Sequence, residues 1–197
     1  MPVQRNRLRP TQIAAWCLAL VLALGVSLVR AETFSVEAVK AAFLYRFASY
    51  VEWPADSPAS PFVIAVAGDE SVARQLEGLL PRMVVNHQPV QLRRVSRVAE
   101  LDGVHILYVG PEALARTRTL RAAALERPIL IVTDDDRGLD AGAIVNFVEA
   151  GRNVRFEISL IAADRARLRI DSALLSVAAR VERRPPAIRS VDEATPR

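Results

Sequence analysis

Three consecutive carboxylates, Asp134-Asp135-Asp136, are the densest group of potential ligand oxygens in this 197-residue chain. They follow the apolar run Pro128–Val132, and ligands in open α/β sheets collect beyond the carboxyl ends of strands. Clustered carboxylates suit a hard cation such as Mg2+ or Ca2+, which would make a metal-dependent hydrolase. Three adjacent acids converge on one ion only if the loop is strained, so a solvated loop whose carboxylates cap local backbone is the favoured reading. The two histidines, His87 and His105, are far apart and outside any H-E-x-x-H spacing. His105 opens an apolar run and reads as a core residue; His87 reads as loop. No serine lies in a G-x-S-x-G elbow, and the chain has neither a P-loop nor G-x-G-x-x-G. Nothing supplies an acid, a base and a nucleophile together. The expectation is a protein that is not an enzyme, with no catalytic residue, metal or cofactor.

Two other stretches have recognition chemistry. Phe43, Tyr45, Phe47, Tyr50 and Trp53 gather more than a third of the chain's 11 aromatics within a few turns. Half of them can be core. Tyr50 and Trp53, amphipathic and close to Pro54, suit a pocket rim or an interface for a small aromatic ligand. Further on, Asn146-Phe147-Val148 and Arg155-Phe156-Glu157 flank a turn. On a strand Arg155 and Glu157 share one face and Phe156 takes the other. They read either as a structural ion pair at a hairpin or as a charged edge for a partner.

The elements that position these residues follow from periodicity and punctuation. Val36, Lys40, Phe43, Phe47 and Tyr50 recur at helical spacing, predicting a helix over Ser35–Val51 that Pro54 stops. Phe62–Ala67 reads as a buried strand. Gly68-Asp69 turns the chain, and Asp69 N-caps a helix over Glu70–Leu80. Pro89–Val95, Val104–Val109 and Pro128–Val132 read as further strands, with a helix from Gly110-Pro111 to Leu125. Ala143–Glu149 and Asn153–Ile158 form a β-hairpin about Ala150-Gly151-Arg152. Leu160–Arg165 and Ser172–Val181 read as helices around a short strand at Leu168–Ile170. Strands alternating with helices predict one α/β domain with a largely parallel central sheet, flanking helices and a C-terminal β-hairpin.

Residues 1–31 read differently. Arg5, Arg7 and Arg9 precede the apolar Ile13–Val29, and Val29-Arg30-Ala31 offers a small-residue cleavage site, the pattern of a secretory signal cut after Ala31. The expected organisation is a signal over 1–31, a domain over 32–182 and a disordered tail over 183–197. Four of the 26 basic residues and none of the 22 acidic ones lie before residue 32, so the remainder carries 22 of each. A nucleic-acid binder should show a basic domain, and this class is excluded. Cys17, the single cysteine, lies inside the apolar run, so the exported domain has no thiol for a disulfide or a thiolate metal site. The expected location is the periplasm, with the domain soluble after cleavage.

Lys40–Pro54 (KAAFLYRFASYVEWP) and Ile144–Val181 (IVNFVEAGRNVRFEISLIAADRARLRIDSALLSVAARV) resemble the opening and closing motifs of the YfiR-like periplasmic proteins. The resemblance implies a repressor that binds the periplasmic sensor region of an inner-membrane diguanylate cyclase, lowering cyclic di-GMP and biofilm formation. It implies partner-binding positions at Phe147, Glu157 and Ile161, to which the neighbouring Arg155 is added. It also implies a ligand-binding site for a small aromatic molecule at Trp53, with Tyr50 beside it. A periplasmic module for aromatic metabolites is the alternative function, and a homodimer is a further candidate partner. The chain departs from the family twice. It lacks the cysteines of the best-known members, which rules out a thiol–disulfide switch, and Ser159 replaces the usual Asn, which predicts a weaker local turn or cap.

Overall fold

Ser35 starts the first helix because its hydroxyl accepts a hydrogen bond from the Ala38 amide at 3.2 Å, satisfying a donor that the helix cannot. The computed structural model describes residues 35–57, 61–111, 114–150 and 153–183. The expected signal, the tail beyond Arg183 and the hairpin tip at Gly151-Arg152 lie outside the described residues. Helix α1, Val36–Tyr50, buries Lys40, Ala41, Leu44, Phe47 and Ala48, one stripe at 3.6-residue spacing. It ends where Val51 turns extended, and Val51–Glu52 (β1) pairs antiparallel with Arg169–Ile170.

Strand β2, Phe62–Ala67, is buried throughout and sends alternate side chains into two cores. Gly68 turns the chain at φ 71°, in the left-handed region that a residue without a Cβ enters freely. Asp69 then caps α2, Glu70–Leu79, its Oδ1 accepting from the Val72 amide at 2.9 Å. A 3-10 turn at Leu80–Arg82 leads to β3, Val84–Val85, and β4, Gln88–Arg94. Asn86 and His87 join these two, both with positive φ, the two-residue turn that matches strand twist. His87 is therefore a hairpin tip. A second 3-10 turn, Val98–Leu101, precedes β5, Ile106–Val109; α3, Leu114–Ala124, and β6, Leu130–Thr133, follow.

The hairpin is β7, Val145–Ala150, and β8, Asn153–Ser159. Ser159 is no weak point: its hydroxyl accepts from the Ala162 amide at 3.2 Å and caps α4, Leu160–Arg165. Strand β9 is Arg169–Ile170 and helix α5 is Ser172–Val177. The expected helix to Val181 stops four residues early. Ala178 turns extended, the Ala179 amide donates to the Phe156 carbonyl at 2.8 Å, and Arg180–Glu182 becomes β10, parallel to β8. An edge of β8 with backbone groups to satisfy outweighs the helical propensity of an alanine-rich segment.

The main sheet has the order β10-β8-β7-β6-β5-β2-β4-β3. Strands β4, β2, β5, β6 and β7 are mutually parallel, while β8, β10 and β3 run against them. The α/β class, the largely parallel sheet and the hairpin are all present. Helices α1, α2, α4 and α5 cover one face, and α3 with the second 3-10 turn covers the other.

Candidate functional site

The strand order reverses between β2 and β5, where an open α/β sheet ordinarily forms its ligand crevice. Here that crevice is closed. The loops after the two strands touch, and a Cβ on Gly110 would lie 2.6 Å from the Gly68 carbonyl oxygen. The open cleft lies further along the same sheet end, beyond β6 and β7, with a volume of about 630 Å3.

Asn146, buried in β7, builds its floor. The Asn146 Oδ1 accepts from the Thr133 hydroxyl at 2.7 Å and from the Asp135 amide at 3.2 Å. The loop folds tightly over this pair. Gly138 lies against it, leaving no room for a Cβ beside Thr133 Oγ1 and Asn146 Oδ1. Asp135 caps its own loop through the Arg137 amide, at 3.1 Å. Asp134 turns inward and forms an ion pair with Lys40, which α1 holds almost wholly buried. Asp134 and Asp135 thus have separate tasks, one towards α1 and one within the loop. Among the described residues no group of three or more His, Cys, Asp or Glu could hold a metal ion.

Phe147 backs the inner wall of the cleft but is only 2% exposed, and Glu157 with Arg180 forms the far rim. Arg180 meets Glu157 through two hydrogen bonds of 3.0 Å, its Nε to one carboxylate oxygen and its Nη2 to the other. The two residues are register partners on parallel strands. Glu157 thus forms a structural ion pair across the pleat with its neighbour Arg180, while Arg155 is exposed and has no ion pair with a described residue. Among the described residues the acidic Asp134, Asp135, Asp136, Glu149 and Glu157 line the cleft, and Arg180 is the one cation beside them. Below the wall, the Tyr108 hydroxyl donates to Asp69 Oδ2 at 3.1 Å. Burial, followed by the Asp69 carboxylate, pushes this phenol far above its ordinary range.

Of the residues singled out in the sequence, the cleft unites Phe147 and Glu157 with the Asp134–Asp136 loop. Arg155 and the half-buried Ile161 are not in its lining. Tyr50 lines a shallow cleft of about 390 Å3 with Tyr45, Arg46 and Ser49. Trp53 is elsewhere: it stands edge-on to Phe62 and His105, and its indole N–H donates to the His105 carbonyl at 3.3 Å. Lys40 and Arg180 were not recognised as site residues. A lysine on the apolar stripe of α1 was the available signal for the first; the second had none.

A family model described as YfiR/HmsC-like matches residues 37–179. The chain belongs to the YfiR/HmsC-like family. Among solved structures it is similar to the crystal structure of a conserved domain protein from Vibrio cholerae O1 biovar El Tor str. N16961, at 12% identity and a TM-score of 0.50. That match covers 76% of this chain and 61% of the other, and at this identity it speaks for the fold alone. No curated protein sequence matches. Within the YfiR/HmsC-like domain the opening and closing motifs, a hundred residues apart, are two halves of one aromatic cluster. Phe43 and Phe47 of α1 meet Phe147 and Phe156 of the hairpin at centroid distances of 5.2–6.1 Å. Much of the motif is therefore core, and the cleft opens on its outer side. No described helix is long and apolar enough to cross a membrane.

Proposed function

We propose that the protein is a periplasmic repressor that binds the periplasmic sensor region of an inner-membrane diguanylate cyclase and so lowers cyclic di-GMP and biofilm formation. The observation that carries this reading is the make-up of the cleft. A bidentate Glu157–Arg180 pair stands on the rim of an open, acid-lined trough, and rim charges set specificity and encounter rate. Membership of the YfiR/HmsC-like family supports the same reading. A repressor acts only through differential affinity, so this one prefers the inactive form of the sensor. Deleting the gene raises cellular cyclic di-GMP when the cyclase is expressed; unchanged levels refute the proposal. Glu157→Ala weakens repression while the purified protein still melts cooperatively. Loss of the fold in that variant would make Glu157 a purely structural partner of Arg180.

The alternative, a module for aromatic metabolites, is favoured by the Tyr45–Tyr50 cleft and the unpaired Arg46 within it. Calorimetry with aromatic metabolites separates the two: saturable binding lost in Tyr50→Ala supports the module. Trp53, engaged with the His105 carbonyl, is not in the lining of that cleft.

A further inference from the structure

The lining of the main cleft includes four successive residues of β7, Asn146, Phe147, Val148 and Glu149. Successive side chains of a strand point to opposite faces, so a cleft that meets all four runs along the strand's edge and not over a face. The register gives the cause. Strand β6 pairs with β7 only through Val132 with Val145 and Thr133 with Asn146. After Thr133 the chain leaves the sheet into the Asp134–Asp136 loop, which forms the other side of the cleft. Beyond Asn146, β7 is paired with β8 alone. Among the described residues, Phe147–Glu149 have no backbone hydrogen bond other than to β8. The cleft is thus the place that a longer β6 would fill. It leaves one edge of β7 with open backbone donors and acceptors over roughly 10 Å of extended chain.

The charge beside this edge is acidic after the existing pairs are counted out. Glu157 is taken by Arg180, and Asp134 by Lys40. Asp135, Asp136 and Glu149 have no ion pair with a described residue, and Asp136 and Glu149 are exposed. Arg137 follows Asp136, and Arg155 is the register partner of Val148, but neither lines the cleft. A second group is unspent. Asn146 is 2% exposed, and its Oδ1 already accepts from Thr133 and Asp135, which turns its amide nitrogen away from the loop. That nitrogen donates to no described residue, and Asn146 lines the cleft. It is placed to donate to a carbonyl oxygen of an occupant.

We propose that the cleft takes an extended segment of the partner bearing lysine or arginine, added as a strand to the free edge of β7 with its cations against Asp136 and Glu149; this rests on the reading of the cleft as the repressor's contact surface. In strand addition main-chain hydrogen bonds supply affinity and alternate side chains supply specificity. The probe is a capped, fluorescently labelled octapeptide alternating lysine and threonine. It is titrated with the purified protein and followed by fluorescence anisotropy at low ionic strength, where exposed charges are least screened. The peptide binds saturably, and a copy with glutamate for lysine does not. A copy with every peptide nitrogen methylated keeps the charge, cannot donate to the edge, and binds at least about tenfold more weakly. Glu149→Gln and Asp136→Asn, both exposed, each weaken the peptide about two- to fivefold with an unchanged melting temperature. The proposal is overturned by absent binding of the lysine peptide, by the glutamate or methylated copy binding as tightly, or by unchanged affinity in both variants. In any of these cases the repressor still stands if Glu157→Ala relieves repression in cells. Saturable, methylation-sensitive binding by a protein whose deletion leaves cyclic di-GMP unchanged supports the strand groove and refutes the repressor.

Discussion

Asp134→Asn should destabilise the protein more than Lys40→Met, although both break the same contact. The Lys40 side chain is 9% exposed and the Asp134 side chain 20%. Without the carboxylate, the ammonium is stranded on the apolar stripe of α1 among Ala41, Leu44 and Phe47. Removing one partner of a buried pair costs about 3–5 kcal/mol because the other charge remains uncompensated. Lys40→Met strands a carboxylate that lies nearer to water, and methionine keeps the packing of the lysine stem. A cost of about 1–2 kcal/mol is expected there. At roughly 2–4 °C per kcal/mol for a domain of this size, the melting temperature falls by about 6–20 °C for Asp134→Asn and by about 2–8 °C for Lys40→Met. The double variant should resemble Lys40→Met alone, because no stranded ammonium remains, leaving a coupling as large as the cost of Asp134→Asn itself, about 3–5 kcal/mol. Urea unfolding followed by circular dichroism measures all four proteins. Equal costs for the two single variants, or costs that simply add, refute the argument from unequal burial.

Two further outcomes follow from the same end of the sheet. Tyr108 has its phenol raised by burial, so its neutral form is held in the folded state; this stability is complete below the unfolded value of about 10 and is lost as pH rises above it. Tyr108→Phe should flatten the decline in melting temperature above pH 10, and an unchanged slope would count against the role of burial. Gly138→Ala should cost about 2 kcal/mol by forcing a methyl group onto Thr133 and Asn146. Gly78→Ala, in α2 with nothing within 4 Å of the new methyl, should stabilise by about 0.5–1 kcal/mol. The urea midpoints of the two variants moving in the same direction would contradict both.

Local signals carried most of the fold. Pro54, Gly68-Asp69 and the six-residue apolar run Phe62–Ala67 act within a few residues of where they lie, and their elements appear where the sequence places them. The failures share one cause. Ser172–Val181 has the composition of a helix throughout, and only the unfilled edge of β8, supplied by distant chain, pulls its last residues into β10. The candidate site was half legible for the same reason. Phe147 and Glu157 were visible as part of a hairpin. The partner of Glu157 comes from β10 and the partner of Asp134 from α1, 94 residues away. Neither contact could be reached by reading neighbours in the chain. The sequence places Arg155 and Glu157 on one face of a strand, and only the sheet register shows that Glu157 has a neighbour of opposite charge, Arg180, while Arg155 has none among the described residues.

The sheet begins with a two-residue strand and ends with a three-residue one, β3 and β10 among the described residues. These short strands cover only part of their neighbours: β3 pairs with Gln88 and Pro89 of β4, and β10 with Glu157–Ser159 of β8. The stretches without a strand on their outer side among the described residues are Val90–Arg94 and Asn153–Arg155, and each carries arginine, Arg93 and Arg94 on one and Arg155 on the other. Charge on an edge strand blunts it as a template for stacking identical copies, so a molecule that extends the ladder at either outer edge must bring the acidic side chains to match.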